Sequence, residues 1–227
     1  MGQKIDPRGF RIGLSDLWHD ESQCYGKSFK NQKNLLKETR NIFEFLNQYF
    51  ESKKLIQGKT NQKVSNKIKE YNVQYVPVSP KAASLTHNMG LTAANVFKKN
   101  IQVRNYNTTL WYQNGPLLCE FIKTSLKKGI AFRKIINTVQ RLLELQTPHQ
   151  IVLKTSSGTK IMEYTGLKVR YTGRFGGSRS RMASNIVYRI GAVSLQKIET
   201  HIQFYTSSLH TKQGLCNIEI WMAYKSI

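Results

Sequence analysis

Hydrophobic and polar residues follow a helical period in parts of the first two thirds of the chain and alternate in the last third. Residues 34–50 are predicted to form a helix, because their apolar side chains recur at helical spacing. Residues 73–80 read as a strand, and Pro77 makes it an edge strand, since proline has no N–H for a central ladder. Residues 81–105 show no clear period.

A pair of helices is predicted next, from Pro116 to just before Gly129 and from about residue 131 to 146. Proline suits the first position of a helix, and glycine or a following proline marks its end. The apolar positions of the second helix fall on one side. The opposite side carries a polar stripe that faces either solvent or phosphates, made of Arg133, Lys134, Asn137 and Arg141.

Five segments after residue 148 alternate between apolar and polar residues, which predicts strands. They are HQIVLK, GLKVRYT, SNIVYRI, THIQFYT and CNIEIWM. In the second segment Leu167, Val169 and Tyr171 point to one face, while Lys168 and Arg170 point to the other. Two helices followed by several strands predict a two-layer α+β domain, in which the helices cover one face of the sheet.

The charge of the chain narrows the possible functions. The 227 residues include 35 Lys and Arg against 13 Asp and Glu, a formal net charge of +22. Self-repulsion of this size destabilises a compact chain unless a partner neutralises it, so we expect a polyanion. A solvated basic surface and an anionic membrane surface are the alternatives. No apolar run is long enough to span a membrane, and we expect no membrane partner.

Side chains suited to catalysis or metal binding are scarce. The three cysteines lie about 95 residues apart and the five histidines lack ligand spacing, so the sequence predicts neither a disulfide scaffold nor a metal site. It also lacks a Gly-rich phosphate loop and a Gly-x-Ser-x-Gly motif. We therefore expect no catalytic residues and no cofactor.

Residues 164–198 hold seven basic residues and no Asp or Glu, which is atypical of a salt-bridged surface. The segment TGRFGGSRSR combines glycines that let a backbone approach a ligand with arginines that bind phosphate bidentately. The candidate RNA-binding residues here are Lys168, Arg170, Arg174, Arg179 and Arg181. The alternative is a glycine-rich turn with solvated arginines.

Residues 1–20 read as a basic N-terminal arm with too few apolar residues to fold alone. Its candidate RNA-binding residues are Lys4, Arg8 and Arg11. We expect the arm to become ordered on RNA, and the alternative is a frayed terminus.

Five motifs together resemble the universal small-subunit ribosomal protein S-three family. They are MGQKIDPRGFRIG, NLLKETRNIFEFLNQYF, LLCEFIKTSLKKGIAFRK, GLKVRYTGRFGGSRSR and VSLQKIETHIQFYTSSLHTKQGLCNIEIWMAY. They occur in one order and at family-like spacing. The resemblance is strongest over residues 116–227 and weakest over residues 51–115.

The resemblance implies an α+β chain with a KH-like (type II) N-terminal domain and a C-terminal domain of two helices packed on a mixed or antiparallel sheet. The implied domains are the arm at 1–20, the KH-like domain at 21–105 and the C-terminal domain at 106–227. A KH domain clamps nucleic-acid backbone with a Gly-x-x-Gly loop, and none occurs between residues 40 and 115. We therefore expect a degenerate KH-like domain that has lost its clamp.

The resemblance also implies a structural component of the small ribosomal subunit, in the head near the channel through which messenger RNA (mRNA) enters. The implied partners are small-subunit ribosomal RNA (rRNA), mRNA and neighbouring small-subunit ribosomal proteins. Arg133 and Lys134 match positions that face incoming mRNA, whereas a third basic position is Asn137 here. The candidates for rRNA are the eight residues named above, three in the arm and five of the seven basic residues in the acid-free segment 164–198.

Lys outnumbers Arg and Asn is frequent, which suggests a gene in an AT-rich genome. We infer a mitochondrial ribosome in the matrix, with a plastid or the bacterial cytoplasm as alternatives. Two other functions stay open at this point. One is a free-standing KH-like RNA-binding regulator, and the other is an organellar nucleic-acid enzyme such as a nuclease.

Overall fold

The structure of the chain is a computed structural model. It describes residues 6–14, 29–53, 55–64, 69–77, 89–98, 100–108, 110–145, 150–155, 158–174, 182–211 and 213–226. The chain divides into two compact units, one of residues 19–111 and the other of residues 1–18 together with 112–227. Within the described ranges, no helix combines the length and the apolar character needed to cross a membrane.

Among its described residues, the unit of residues 19–111 contains two α-helices and a three-stranded sheet. Its elements are α1 (Phe29–Ser52), β1 (Leu55–Val64), β2 (Lys69–Pro77), α2 (Met89–Phe97) and β3 (Ile101–Asn107). The strand order is β1-β2-β3, in which β2 pairs antiparallel with β1 and parallel with β3. The predicted helix at 34–50 is confirmed and begins earlier than expected, at Phe29.

The core of this unit lies between α1, α2 and one face of the sheet. Its buried residues are Ile42, Leu46 and Phe50 of α1, Tyr71, Val73 and Tyr75 of β2, and Met89 and Ala93 of α2, together with Leu55 and Ile101. Alternate residues of β2 therefore point into the core, as expected for a strand with one covered face.

The expectation of an edge strand at 73–80 is wrong, because β2 is the central strand of its sheet. Pro77 is its last residue and pairs with Leu55 of β1. The pairing with β3 ends two residues earlier, at Tyr75 and Asn107. The missing N–H of Pro77 therefore falls beyond the end of the β2–β3 ladder, where no donor is needed.

In the part of the chain that the structure describes, the unit that contains residues 112–227 has two α-helices and five strands. Its elements are α3 (Gly115–Lys127), α4 (Phe132–Leu145), β4 (Gln150–Thr155), β5 (Gly158–Gly173), β6 (Ser184–Gly191), β7 (His201–Thr211) and β8 (Gly214–Ser226). The strand order is β4-β5-β8-β7, with β6 also paired to β5, and every pair is antiparallel. Both predicted helices and all five predicted strands are confirmed, as is the α+β class.

The two helices contact the sheet face that carries Leu167, Val169 and Tyr171. The ring of Phe132, at the start of α4, stacks on Tyr171 with 5.0 Å between centroids. On α3, the Oε1 atom of Glu120 accepts a 3.2 Å hydrogen bond from Ser207 of β7. The apolar side of α4 is buried, whereas Arg133, Lys134, Asn137 and Arg141 are exposed.

Candidate RNA interface

The N-terminal segment folds against its own unit through Arg11. The side chain is only 1% exposed, although the sequence suggested an RNA contact. Its Nε donates to the carbonyl oxygen of Thr200 at 2.7 Å, and its Nη1 donates to that of Pro7 at 2.7 Å. Its Nη2 donates to the carbonyl oxygens of Lys197 at 2.6 Å and of Leu195 at 3.1 Å. A guanidinium surrounded in this way has no face left for a phosphate, so Arg11 is a structural residue.

Arg8 of the same segment is partly accessible. Its Nη2 lies 2.7 Å from the Oδ2 of Asp6, and its guanidinium lies over the ring of Phe204, 5.8 Å from the centroid. Burial raises the pKa of Asp6, but the hydrogen bonds and charge of Arg8 outweigh it and lower the pKa below 3.8. The pair is therefore charged at neutral pH, and 39% of the Arg8 side chain remains accessible.

The sheet face opposite the helices carries two of the candidates on β5. Lys168 is 5% exposed, and its Nζ lies over the ring of Trp221, 4.6 Å from the centroid. Arg170 is more accessible, and its Nη1 lies 3.4 Å from the Oε2 of Glu219. The charge of Lys168 is thus used in a cation–π contact inside the protein, whereas Arg170 still reaches solvent. Lys168, like Arg11, is better explained as structural than as an RNA contact.

A cation on the neighbouring strand was not among the predicted site residues. Arg189 of β6 is exposed and pairs opposite Lys168, so it shares the face of Arg170. It belongs to the acid-free segment 164–198, so the charge pattern contained the signal. Only the register between β5 and β6 shows which face it occupies.

Arg174 directly follows β5, where the backbone is tightly constrained. Gly173 has φ of +149°, and a Cβ atom there would lie 2.6 Å from the Sγ of Cys216. The thiol of Cys216 in turn donates a 3.7 Å hydrogen bond to the carbonyl oxygen of Arg174. A residue other than glycine would force the end of β5 away from β8. The close packing at Gly173 therefore fixes the position of the Arg174 backbone.

The structure brings together two candidates that lie far apart in the sequence. Arg133, on the first turn of α4, and Arg174, after β5, line one cleft of about 820 Å³. The acid-free segment and the basic stripe of α4 therefore meet at one place. Three other candidates, Lys4, Arg179 and Arg181, lie outside the described residues.

The described residues show none of the usual features of a metal or thiol site. They contain no group of three His, Cys, Asp or Glu side chains placed to hold a metal ion. Cys119 and Cys216 are buried, and burial, with a contribution from Glu120, raises the pKa of the Cys119 thiol to about 12. A thiol with such a pKa is a packing group and not a nucleophile at neutral pH.

Curated proteins match this chain over nearly its full length, although no family model does. Small ribosomal subunit protein uS3m of Chondrus crispus is 25% identical over 227 residues, covering 99% of this chain and 94% of that protein. Protein uS3 of Clostridioides difficile (strain 630) is 28% identical over 225 residues, covering 98% and 75%. Protein uS3c of Emiliania huxleyi is 25% identical over 240 aligned positions and covers both chains fully. The similarity thus extends well beyond the five motifs.

Proposed function

We propose, since the chain belongs to the uS3 family of small ribosomal subunit proteins, that it is a structural component of a small ribosomal subunit and binds its rRNA. The observation that carries this proposal is the match to relatives named uS3m, uS3 and uS3c over 98% or more of the chain. The role requires no catalytic residue and no cofactor. Its partners are rRNA and neighbouring small-subunit ribosomal proteins.

Electrostatics supply the mechanism. Each Lys or Arg that contacts a phosphate releases counterions from the RNA, which makes binding favourable and dependent on salt. The net charge of +22 provides such contacts, and the α+β core holds them in a fixed arrangement. Among the described candidates, the accessible cations Arg8, Arg170 and Arg174 suit this role. Lys4, Arg179 and Arg181 remain proposed contacts on the strength of the sequence.

The basic stripe of α4 faces mRNA near the point where the message enters the subunit. Arg133 and Lys134 are exposed on consecutive positions of the first turn of α4, while the buried side of that helix holds it on the sheet. Asn137 occupies the next position of the stripe and supplies a hydrogen-bonding amide in place of a charge. The stripe therefore carries less charge than a fully basic one, and we expect weaker support for unwinding structured messages.

The N-terminal half is a degenerate KH-like domain of type II in this proposal, with the arm at 1–20, the KH-like domain at 21–105 and the C-terminal domain at 106–227. The three-stranded sheet with helices α1 and α2 supports the domain type. Because the segment lacks a Gly-x-x-Gly sequence, it cannot clamp RNA backbone in the usual way. The RNA affinity of the chain then rests on its exposed cations and not on such a clamp.

We assign the protein to a mitochondrial ribosome in the matrix. The frequency of Lys and Asn supports this, and so does the similarity to the uS3m protein of Chondrus crispus. Relatives named uS3c and uS3 keep plastid and bacterial ribosomes as alternatives.

Sedimentation tests the function. A lysate that contains the tagged full-length chain is run on a sucrose gradient, first with magnesium and then after removal of magnesium has separated the subunits. We expect the chain to move with intact ribosomes in the first gradient and with small subunits alone in the second. A chain at the top of both gradients, or one spread evenly over both subunits as a non-specific basic protein would be, contradicts the proposal.

A further inference from the structure

The cleft that contains Arg133 and Arg174 is built entirely within the unit of residues 112–227. One wall is the turn between α3 and α4, with Gly129, Ile130 and Phe132. The other wall is formed by strand ends and by the turn between β7 and β8, with Tyr171, Ile186, Tyr188, Thr211 and Gln213. The cleft therefore lies on the helix-covered face of the sheet, at the end where the helices no longer cover it.

Aromatic rings from the two walls meet and form the floor of this cleft. Phe132 stacks on Tyr171 with an interplanar angle of 28° and meets Tyr188 edge-on at 5.9 Å between centroids. Phe132 and Tyr171 are nearly buried, whereas Tyr188 is half-buried. Tyr188 thus extends the aromatic cluster towards solvent and provides a surface on which another flat ring can stack.

The charge of the cleft has one sign. Its described lining residues include two arginines and no Asp or Glu. The first amide groups of α4, at Phe132 and Arg133, point out of the helix at the same place and add the positive end of its dipole. Thr211 and Gln213 contribute a hydroxyl and an amide, which can pair with the edge of a base.

These features together select one occupant. A lone phosphate leaves the aromatic floor unused, and an RNA duplex presents its phosphates but keeps its base faces stacked away from the protein. An unpaired nucleotide offers both an anionic phosphate and an exposed π face, and single-strand-binding proteins hold it with this combination of cations and rings. The volume of about 820 Å³ is within the range of small-ligand sites.

We propose that the cleft receives one unpaired nucleotide of RNA, whose base stacks on Tyr188 and whose flanking phosphates bind Arg133 and Arg174. This inference rests on the proposed RNA-binding function and adds a specific site to it, at which Arg133 and Arg174 hold the same RNA strand, whether that strand belongs to rRNA or to mRNA. The protein then distinguishes single-stranded from duplex RNA at this cleft, whereas its other exposed cations bind both.

The test uses the purified full-length chain with two probes, a fluorescent ten-nucleotide oligouridine and a ten-base-pair RNA duplex. Tyr188→Leu should weaken binding of oligouridine about tenfold and change duplex binding less than about twofold, since stacking is lost but charge is kept. Tyr188→Phe should bind both probes like the original chain. Arg174→Gln should weaken oligouridine binding and lower its salt dependence by about one unit of slope.

Lys160→Gln is the matched charge control, because Lys160 is exposed on β5 and lies outside the cleft. It should leave the ratio of single-strand to duplex affinity unchanged. Circular dichroism identifies any variant that fails to fold, and oligouridine with one 4-thiouridine should crosslink to the peptide containing Tyr188. Equal losses on both probes in Tyr188→Leu, or crosslinks confined to other peptides, overturn the proposal.

This test and the sedimentation test separate two kinds of failure. If Tyr188→Leu leaves oligouridine binding intact while the chain still moves with small subunits, the proposed nucleotide site in the cleft is wrong and the ribosomal role stands. If the unaltered chain neither binds RNA nor moves with small subunits, the proposed function itself has failed.

Discussion

The Nε of Arg11 donates a 2.7 Å hydrogen bond to the carbonyl oxygen of Thr200, which lies 189 positions further along the chain. The guanidinium also donates hydrogen bonds to the carbonyl oxygens of Pro7, Leu195 and Lys197. A planar fork of donors suits such a ring of acceptors, and a lysine ammonium does not. This one side chain therefore fixes the N-terminal segment to the loop that precedes β7.

Replacement of Arg11 by Ala should lower the free energy of unfolding by about 3 kcal/mol, because several carbonyl groups lose a buried charged donor. Arg11→Lys should recover only part of this loss. Urea denaturation followed by tryptophan fluorescence measures the change, with Trp221 as a reporter in the same unit. Arg8→Ala is the matched control and should lower the free energy of unfolding by less than about 1 kcal/mol, since its ion pair is still partly exposed to water. Equal losses in the two variants contradict the role given to Arg11.

Gly115 begins α3 against the ring of Tyr205, and a Cβ atom there would lie 2.3 Å from the Cδ2 of that ring. Gly115→Ala should therefore destabilise the protein by about 2 kcal/mol through overpacking. Gly90→Ala in α2 is the control, because its Cβ would meet backbone only at 3.6 Å, and we expect a change within about 1 kcal/mol. Thermal unfolding of both variants checks the contrast.

A second-site change tests the cause of that destabilisation. Tyr205→Val should lower the stability of the Gly115→Ala variant less than that of the original chain, because it removes the ring that the new methyl group meets. Strictly additive effects of the two changes contradict steric conflict as the cause.

Elements with strong periodicity were predictable from the sequence, and elements held by distant partners were not. Helix α3 has a proline in its first turn, Gly129 separates it from α4, and both helices have a clear apolar side, so their limits follow from local signals. Strand β1 is polar along most of its length and is buried mainly at Leu55 and Ile56, which leaves almost no alternation to detect. The central place of β2 depends on parallel pairing with β3, for which the local sequence carries no signal.

The same limit applies to the candidate interface. The charge pattern identified the basic segment, but a charge pattern does not distinguish a buried cation from an exposed one. Lys168 is buried because Trp221 lies opposite it in the β5–β8 register. Arg11 is buried because of carbonyl groups almost 190 positions away. The meeting of Arg133 and Arg174 likewise follows from how α4 packs on β5, which local sequence does not specify.

Cys119 should react with thiol reagents only when the protein unfolds. It is 3% exposed, and its pKa of about 12 leaves roughly one thiol in ten thousand ionised at pH 8. In a chain whose other two cysteines are replaced by Ser, we expect no alkylation of the native protein within the time that alkylates it fully in urea. Rapid alkylation of the native protein contradicts the buried position.

The salt dependence of RNA binding should separate exposed from buried cations. Joint replacement of Arg174, Arg179 and Arg181 by Gln should weaken rRNA-fragment binding and flatten its salt dependence by about one unit of slope per lost phosphate contact. Lys168→Gln also removes one charge from this segment, but that charge contacts Trp221 inside the protein. The salt dependence of RNA binding by this variant should therefore keep its slope. A change of slope in Lys168→Gln, or none in the triple variant, reverses the assignment of these residues.

Arg133 and Lys134 are exposed next to each other on the first turn of α4, whereas Arg141 is exposed two turns later on the same helix. If the first turn faces incoming mRNA, replacement of Arg133 and Lys134 by Gln should slow translation of messages with a stable hairpin several-fold more than that of unstructured messages. The loss of two charges near the path of the message weakens contacts with its phosphates, but the packed side of α4 is unchanged, so subunit assembly should be normal. Arg141→Gln removes a charge from the same helix and should affect both kinds of message equally. Translation reporters with and without a hairpin, combined with gradient profiles of the subunits, measure both effects. A defect in assembly as large as the defect on structured messages assigns the two residues to rRNA binding.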